Sequence, residues 1–243
     1  MKKIIGILGG MGPEATVRMF TLIIKNTRAE KDQDHIPVLI YSNPKIPPRT
    51  DAIIGKGPDP TSDLIEGISL LLKGGADFIM IPCITAHFFL PKITKSIEFA
   101  YLSLIEESLR YAKTKIPAIK KTGILASTGT LTSRLFHDCF LSEGIEVIHP
   151  NEKEQEKVMD AIFGERGIKA GYSSGYSRET IIDMAGTLIN RGAEAIIAGC
   201  TEIPLVLTAE DIPVPLIEPM EITAQAGILK AGYNLSEQTL YFR

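Results

Sequence analysis

The chain repeats itself at an offset of 117 residues, and that repeat limits the folds open to it. Gly75-Ala76-Asp77-Phe78-Ile79-Met80-Ile81-Pro82-Cys83 returns as Gly192-Ala193-Glu194-Ala195-Ile196-Ile197-Ala198-Gly199-Cys200. Each copy sets a Gly-Ala-acid turn before an apolar run and ends it with a cysteine. The same offset carries Gly6-Ile7-Leu8 onto Gly123-Ile124-Leu125, so a whole half is repeated, not a short motif. In 243 residues this predicts two similar lobes of about 100–120 residues each, an ordinary domain size. We place the lobes at residues 1–103 plus 207–243 and at 104–206.

Within each half, short apolar runs alternate with helical patterns. The runs at 4–8, 36–42 and 78–83 read as buried strands, as do 121–126, 145–148, 195–198 and 213–217. Pro13 and Glu14 open a helix, Thr61 or Ser62 caps another, and Gly74-Gly75 ends it. Residues 43–51 hold too many prolines for regular structure. The fold class is therefore α/β, with two pseudo-symmetric parallel-sheet lobes and helices on both faces of each sheet. Ligands bind such sheets outside the carboxyl ends of their strands. Lobes related by a pseudo-twofold axis would make Cys83 and Cys200 oppose each other across one cleft, the expected active site.

Composition removes other classes. The net charge is −3, which argues against binding a nucleic-acid backbone. No apolar stretch is long enough to span a bilayer, and the Met1-Lys2-Lys3 start is broken by glycines too early for a signal peptide. A soluble, cytoplasmic protein is expected. Three cysteines, Cys83, Cys139 and Cys200, are an odd number without metal-ligand spacing, so neither disulfides nor a metal site is expected. The polar tail from Asn234, ending Leu240-Tyr241-Phe242-Arg243, is read as a frayed terminus or a remnant foreign to the protein, and is assigned no function.

Paired thiols suit one chemistry. A thiolate abstracts the proton next to a carboxylate from one face, and a thiol on the other face returns one and inverts the centre. Only the thiolate is a base, so each cysteine needs donors nearby, and a strand-to-helix turn supplies backbone N–H groups. A lone cysteine ending an apolar strand is usually a small core residue; two at equivalent positions, followed by Thr85 and Thr201, point to function. Cys139 has no equivalent and reads as structural. The cations pair as well. Arg49 and Lys157 lie about equally far past corresponding strands, and a dicarboxylate needs two positive anchors. The turns containing Met11 and Thr128 offer N–H groups at helix starts for carboxylate oxygens. His87 and Glu202 lie close enough to the cysteines to tune them or relay protons, Glu202 by raising the thiol pKa.

Gly199-Cys200-Thr201-Glu202-Ile203-Pro204-Leu205, together with Gly6-Ile7-Leu8-Gly9-Gly10-Met11-Gly12-Pro13 and Pro82-Cys83-Ile84-Thr85-Ala86-His87, closely resembles the aspartate/glutamate racemase family, its aspartate racemase branch above all. The likeness runs from the first strand to about residue 232. It implies racemisation by two cysteines without a cofactor, a last helix returning to the first lobe, an amino-acid substrate and a homodimer. Cys83 and Cys200 would be the two bases, Arg49 the anchor of the side-chain carboxylate and Lys157 that of the α-carboxylate. One position departs from the pattern: Ile84 stands where the family has an asparagine that helps to hold the amino acid.

The expected function is interconversion of L- and D-aspartate, with a glutamate or broad-specificity racemase as a variant. Two other classes compete. Gly10-Met11-Gly12-Pro13-Glu14-Ala15 fits the short glycine pattern of dinucleotide binders, but Pro13 and the dissimilar second turn, Ser127-Thr128-Gly129, speak against it. A non-catalytic dicarboxylate-binding protein would share the two-lobed form.

Overall fold

The strand β1 (Ile5–Gly9) is buried along its whole length, which requires cover on both faces of its sheet. The structure, a computed structural model, describes residues 2–237. It divides into two compact units: the chain up to Glu107 with the segment from Met220 onward, and Ser108–Pro219.

The first unit continues with α1 (Pro13–Asn26), β2 (Val38–Ser42), α2 (Arg49–Ile53), α3 (Thr61–Lys73) and β3 (Phe78–Met80). A 3-10 turn, Ile84–Phe89, leads through α4 (Leu90–Ile93) to β4 (Tyr101–Leu102) and α5 (Leu104–Lys115). The sheet is parallel in the order β2-β1-β3-β4. The second unit holds β5 (Lys121–Leu125), α6 (Thr128–Ser133), α7 (Leu135–Leu141), β6 (Glu146–Ile148) and α8 (Glu152–Phe163). A 3-10 turn, Ile168–Ala170, precedes α9 (Tyr176–Asn190), β7 (Ile196–Ala198) and β8 (Leu216–Ile217). Its sheet, β6-β5-β7-β8, is parallel in the same order as the first. The last helix, α10 (Pro219–Lys230), belongs to the first unit. A Cβ added to its Gly227 would come within 2.8 Å of Met80 Sδ, so α10 lies directly on β3. Ile79 faces the other way, into a cluster with Leu64, Ile68 and Leu71 of α3.

The repeated Gly-Ala-acid signature has a physical cause. Gly75 and Gly192 sit at φ 97° and 92°, where a side chain would be strained. Ala76 and Ala193 are buried. The acid then reaches the start of the neighbouring strand: Asp77 Oδ2 accepts from the Ile4 amide at 2.7 Å, and Glu194 Oε2 accepts from the Lys120 and Lys121 amides at 2.6 and 3.0 Å. Each carboxylate fixes the register of the two central strands of its sheet.

Several expectations change. The boundary expected at 206/207 falls at 219/220, because β8 pairs with β7 in the second sheet. The boundary at 103/104 moves to 107/108, within α5. Arg49 is not in an irregular loop but opens α2, with Pro48 just before the helix. Thr61 lies inside α3 and donates to Asp59 instead of capping the helix. The helix expected through Leu135 and Cys139 is preceded by α6 and separated from it at Arg134, whose φ is 55°. The start of the tail is not frayed: Arg28 donates to Asn234 O at 2.9 Å, and the Ser236 amide donates to Asn26 O at 2.7 Å. Leu240 to Arg243 lie outside the described residues. No helix among the described residues is long and apolar enough to cross a membrane.

Candidate active site

Cys83 directly precedes the 3-10 turn that follows β3, and its extended backbone (φ −154°, ψ 111°) turns the chain out of the sheet. The residue is 5% exposed and belongs to the α3-side core cluster. Its Sγ lies 3.4 Å from Thr85 Oγ1. His87 Nδ1 is 2.9 Å from the Cys83 carbonyl oxygen, while the Leu104 amide donates to Nε2 at 3.2 Å. Nε2 therefore accepts, and Nδ1 carries the hydrogen and donates. Burial lowers the His87 pKa to about 4, so the ring is neutral at physiological pH. With both nitrogens committed to backbone, His87 is not a proton relay in this arrangement. It holds the Cys83 peptide in place. Ile84 is buried at 3% exposure, and its side chain offers no polar atom next to Cys83.

The glycine turn after β1 is built around Thr16. Its Oγ1 accepts from the Gly10 amide at 2.8 Å and donates to Gly12 O at 3.0 Å. Gly10 is required twice over: φ is 92°, and a Cβ would lie 2.3 Å from the Asn43 backbone. The loop after β2 thus rests against the turn and delivers Arg49 to it. Arg49 Nη1 donates to Ile46 O and Pro47 O at 2.9 and 2.7 Å, and Nη2 donates to Met11 O at 3.2 Å. Its Nε is buried without a hydrogen-bond partner. The guanidinium is therefore pinned along one edge and keeps an unused donor on the other. An Arg edge of that kind suits a carboxylate.

In the second unit Cys200 follows β7 and belongs to a cluster with Val158, Ile162 and Leu188. Its surroundings differ from those of Cys83. Cys200 Sγ donates to Glu202 Oε2 at 3.0 Å, and Thr201 Oγ1 donates to the same oxygen at 3.0 Å. Lys169 Nζ pairs with Glu202 Oε1. Glu202 is only 4% exposed, so an ionised carboxylate there depends on these partners. Burial, and then the Glu202 charge, raise the Cys200 pKa well above that of an ordinary thiol, while Lys169 pulls it down.

The turn after β5 is held by Ser127, whose hydroxyl accepts from the Thr130 amide at 3.4 Å. Gln155 braces it from α8: Nε2 donates to Ala126 O at 2.9 Å and lies 3.5 Å from Thr128 Oγ1. The Thr128 amide lies 3.2 Å from Met159 Sδ. Gln155 exists in this position because α8 starts from a capping box, with Asn151 Oδ1 accepting from the Glu154 amide and Glu154 Oε2 from the Asn151 amide.

Of the residues singled out from the sequence, Thr85 is brought to Cys83, and Thr201 and Glu202 to Cys200. Met11 is joined to Arg49, and Thr128 to Gln155. Lys157 is joined to none of them. It lies mid-way along α8, not at its start, on a face exposed to solvent, whereas Gln155, Val158 and Ile162 are buried. The lysine at the Cys200 cluster is Lys169, which no motif marked. Gln155 also went unread; its signal was the Asn-x-x-Glu cap that sets the phase of α8. Among the described residues no group of three or more His, Cys, Asp or Glu is arranged to hold a metal ion.

The Asp/Glu/Hydantoin racemase family model matches residues 8–227. A broad specificity amino-acid racemase, RacX of Bacillus subtilis, is 28% identical over 229 residues, which is 92% of this chain and 96% of that protein. Among solved structures, the aspartate racemase of Picrophilus torridus superposes with a TM-score of 0.86 at 29% identity, covering 98% of this chain and 97% of its own. An aspartate racemase homologue from Pyrococcus horikoshii gives a TM-score of 0.76 at 25% identity, covering 96% and 100%.

Proposed function

The chain belongs to the Asp/Glu/Hydantoin racemase family, and from that membership we propose that it interconverts the L and D forms of an acidic amino acid, aspartate first, with Cys83 and Cys200 as its two bases. The observation that carries the reading is the equivalence of the two cysteines: each follows the same inner strand of a sheet with the same order, β3 in one unit and β7 in the other. Chance burial of a thiol does not repeat in that way.

In this reading the amino acid is held by its carboxylates while one thiolate takes the Cα proton and the other thiol supplies another. The Cα–H bond is weakly acidic, so the developing negative charge needs fixed positive charge and N–H donors. Arg49, with its unused Nε–H, holds one carboxylate. A lysine of the second unit holds the other; Lys169 lies at the Cys200 cluster, and Lys157, suggested by the repeat, is the comparison. The turns with Met11 and Thr128 add backbone donors, and Thr85 and Thr201 add hydroxyls. Cys200, protonated at neutral pH by its burial and by Glu202, serves first as the acid. The proposal includes a cytoplasmic homodimer working on a free amino acid.

A broader substrate range is the second reading. Two observations favour it: the buried, apolar Ile84 after Cys83, and the likeness to a relative named for broad specificity.

Deuterium wash-in tests both. Purified protein in deuterated water is incubated with a panel of L-amino acids, and α-deuterium and the D-isomer are measured. Incorporation confined to aspartate supports the first reading, and incorporation across the panel supports the second. No incorporation into any amino acid would sink both. Cys83→Ser and Cys200→Ser should each lower racemisation by about 10²–10⁴-fold or more, the span of general acid–base catalysis. Near-normal racemisation in either variant would rule out the two-base mechanism.

A further inference from the structure

The two thiols are equivalent in position but not in company. Cys83 has a hydroxyl beside it, whereas Cys200 donates to a buried carboxylate that is in turn held by a lysine. That difference matters for a reaction that runs in both directions. In one direction Cys200 must begin as a thiol, in the other as a thiolate. A thiolate 3.0 Å from an ionised carboxylate would place two like charges in a buried site. The pair can carry one proton comfortably and cannot easily carry none.

We propose that Glu202 is the proton store of Cys200, and that Lys169, acting through Glu202, sets where the shared proton rests. The step conserves charge: the proton leaves Sγ for Oε2, the thiol becomes a thiolate, and the carboxylate becomes a neutral acid. No co-reactant is needed. Thr201 donates to Oε2 and so orients the accepting oxygen toward the sulfur. Lys169 pairs with the other oxygen and compensates the single negative charge that the Cys200–Glu202 pair keeps in either form. The lysine reaches Glu202 from the Gly167–Gly171 turn, closed by the Gly171 amide on Ile168 O and lying against α8, with the Phe163 ring 5.6 Å from Nζ. The charged groups acting on Cys200 are Glu202 and Lys169. Toward Cys200, Lys169 acts through Glu202, and Glu202 is the partner of the reacting sulfur.

The inference rests on the racemase reading for its purpose, but it can be tested without catalysis. In the full chain with Cys83→Ser and Cys139→Ser, Cys200 is the single thiol, and its thiolate absorbance is titrated in substrate-free protein. Lys169→Met should raise the midpoint by about one pH unit or more, roughly tenfold less thiolate at a given pH. Glu202→Gln, which removes the like charge while keeping the shape, should lower it. Lys169→Arg should stay near the parent and shows that the fold survives a change at that position. Midpoints unmoved by both Lys169→Met and Glu202→Gln, or moved in the opposite directions, overturn the proposal. The racemase reading fails separately, by absence of deuterium uptake, even if the midpoints shift as expected.

Discussion

His87 shows how much one residue's role depends on what its ring atoms touch. From the sequence it is a titratable group four residues past a candidate base. In the structure both nitrogens serve backbone, and burial holds the pKa at about 4, against 6.5 for an ordinary histidine. The ring must therefore bind a proton on unfolding anywhere between those values. Stability supplied by neutral His87 is complete above about pH 6.5 and is lost as pH falls toward about 4, by up to about 3 kcal/mol. Denaturant unfolding of the wild type from pH 7 to pH 4 should show this loss, and His87→Gln should flatten it. Part of the slope will remain, because His137 is also lowered to about 4 by burial and by its neighbour His149. An unchanged slope in His87→Gln would mean that the ring is not buried as a neutral donor. The same substitution should lower kcat, since it frees the Cys83 carbonyl.

Elements decide which residues the sequence could reveal. The strands ending at Cys83 and Cys200 were legible because each is announced by a turn with a fixed job: positive φ at glycine, burial at alanine, and a carboxylate on the next strand's amides. The lysine that meets Glu202 was not. Distance past a strand and a likeness to the family both point to Lys157, but neither fixes the phase of a helix, and the cap at Asn151 leaves Lys157 on the exposed face of α8 and turns Gln155 inward. Lys169 sits in a glycine- and serine-rich segment with no periodicity, and tertiary folding alone carries it to Glu202. Asn151→Ala tests the importance of that phase. It removes the side-chain acceptor of the Glu154 amide and should cost about 1 kcal/mol, seen as a lower Tm. It should also loosen the Gln155 brace on the Ala126–Thr128 turn, so KM should rise more than kcat falls. A stability loss with kinetic constants intact would show that α8 supports the fold but not the turn.

At the scale of the molecule, the second unit is one continuous stretch of chain and the first is not. The first sheet is closed only when the chain returns after Pro219. α10 then covers Met80 and Leu102 at Gly227, and its Met220, Ile222, Ala224 and Ile228 are buried. The returning segment also ties the start of the chain, through Lys3 N to Ala231 O at 3.0 Å and the Thr27–Leu235 bridge. Fully burying a large apolar side chain is worth about 1.5–3 kcal/mol, so losing three of them removes on the order of 5–9 kcal/mol, comparable to the roughly 5–15 kcal/mol that holds a whole domain. A chain ending at Pro219 should therefore lose the first unit and keep the second. Hydrogen exchange reads this strand by strand: amides of β1 and β3 should exchange at rates near those of an unfolded chain, while those of β5 and β7 stay protected. Racemisation should vanish, although both cysteines and every candidate anchor are still present. Protection of β1 equal to that of the full chain would mean that the first sheet closes without α10, and that Gly227 and its neighbours contribute far less than their burial implies.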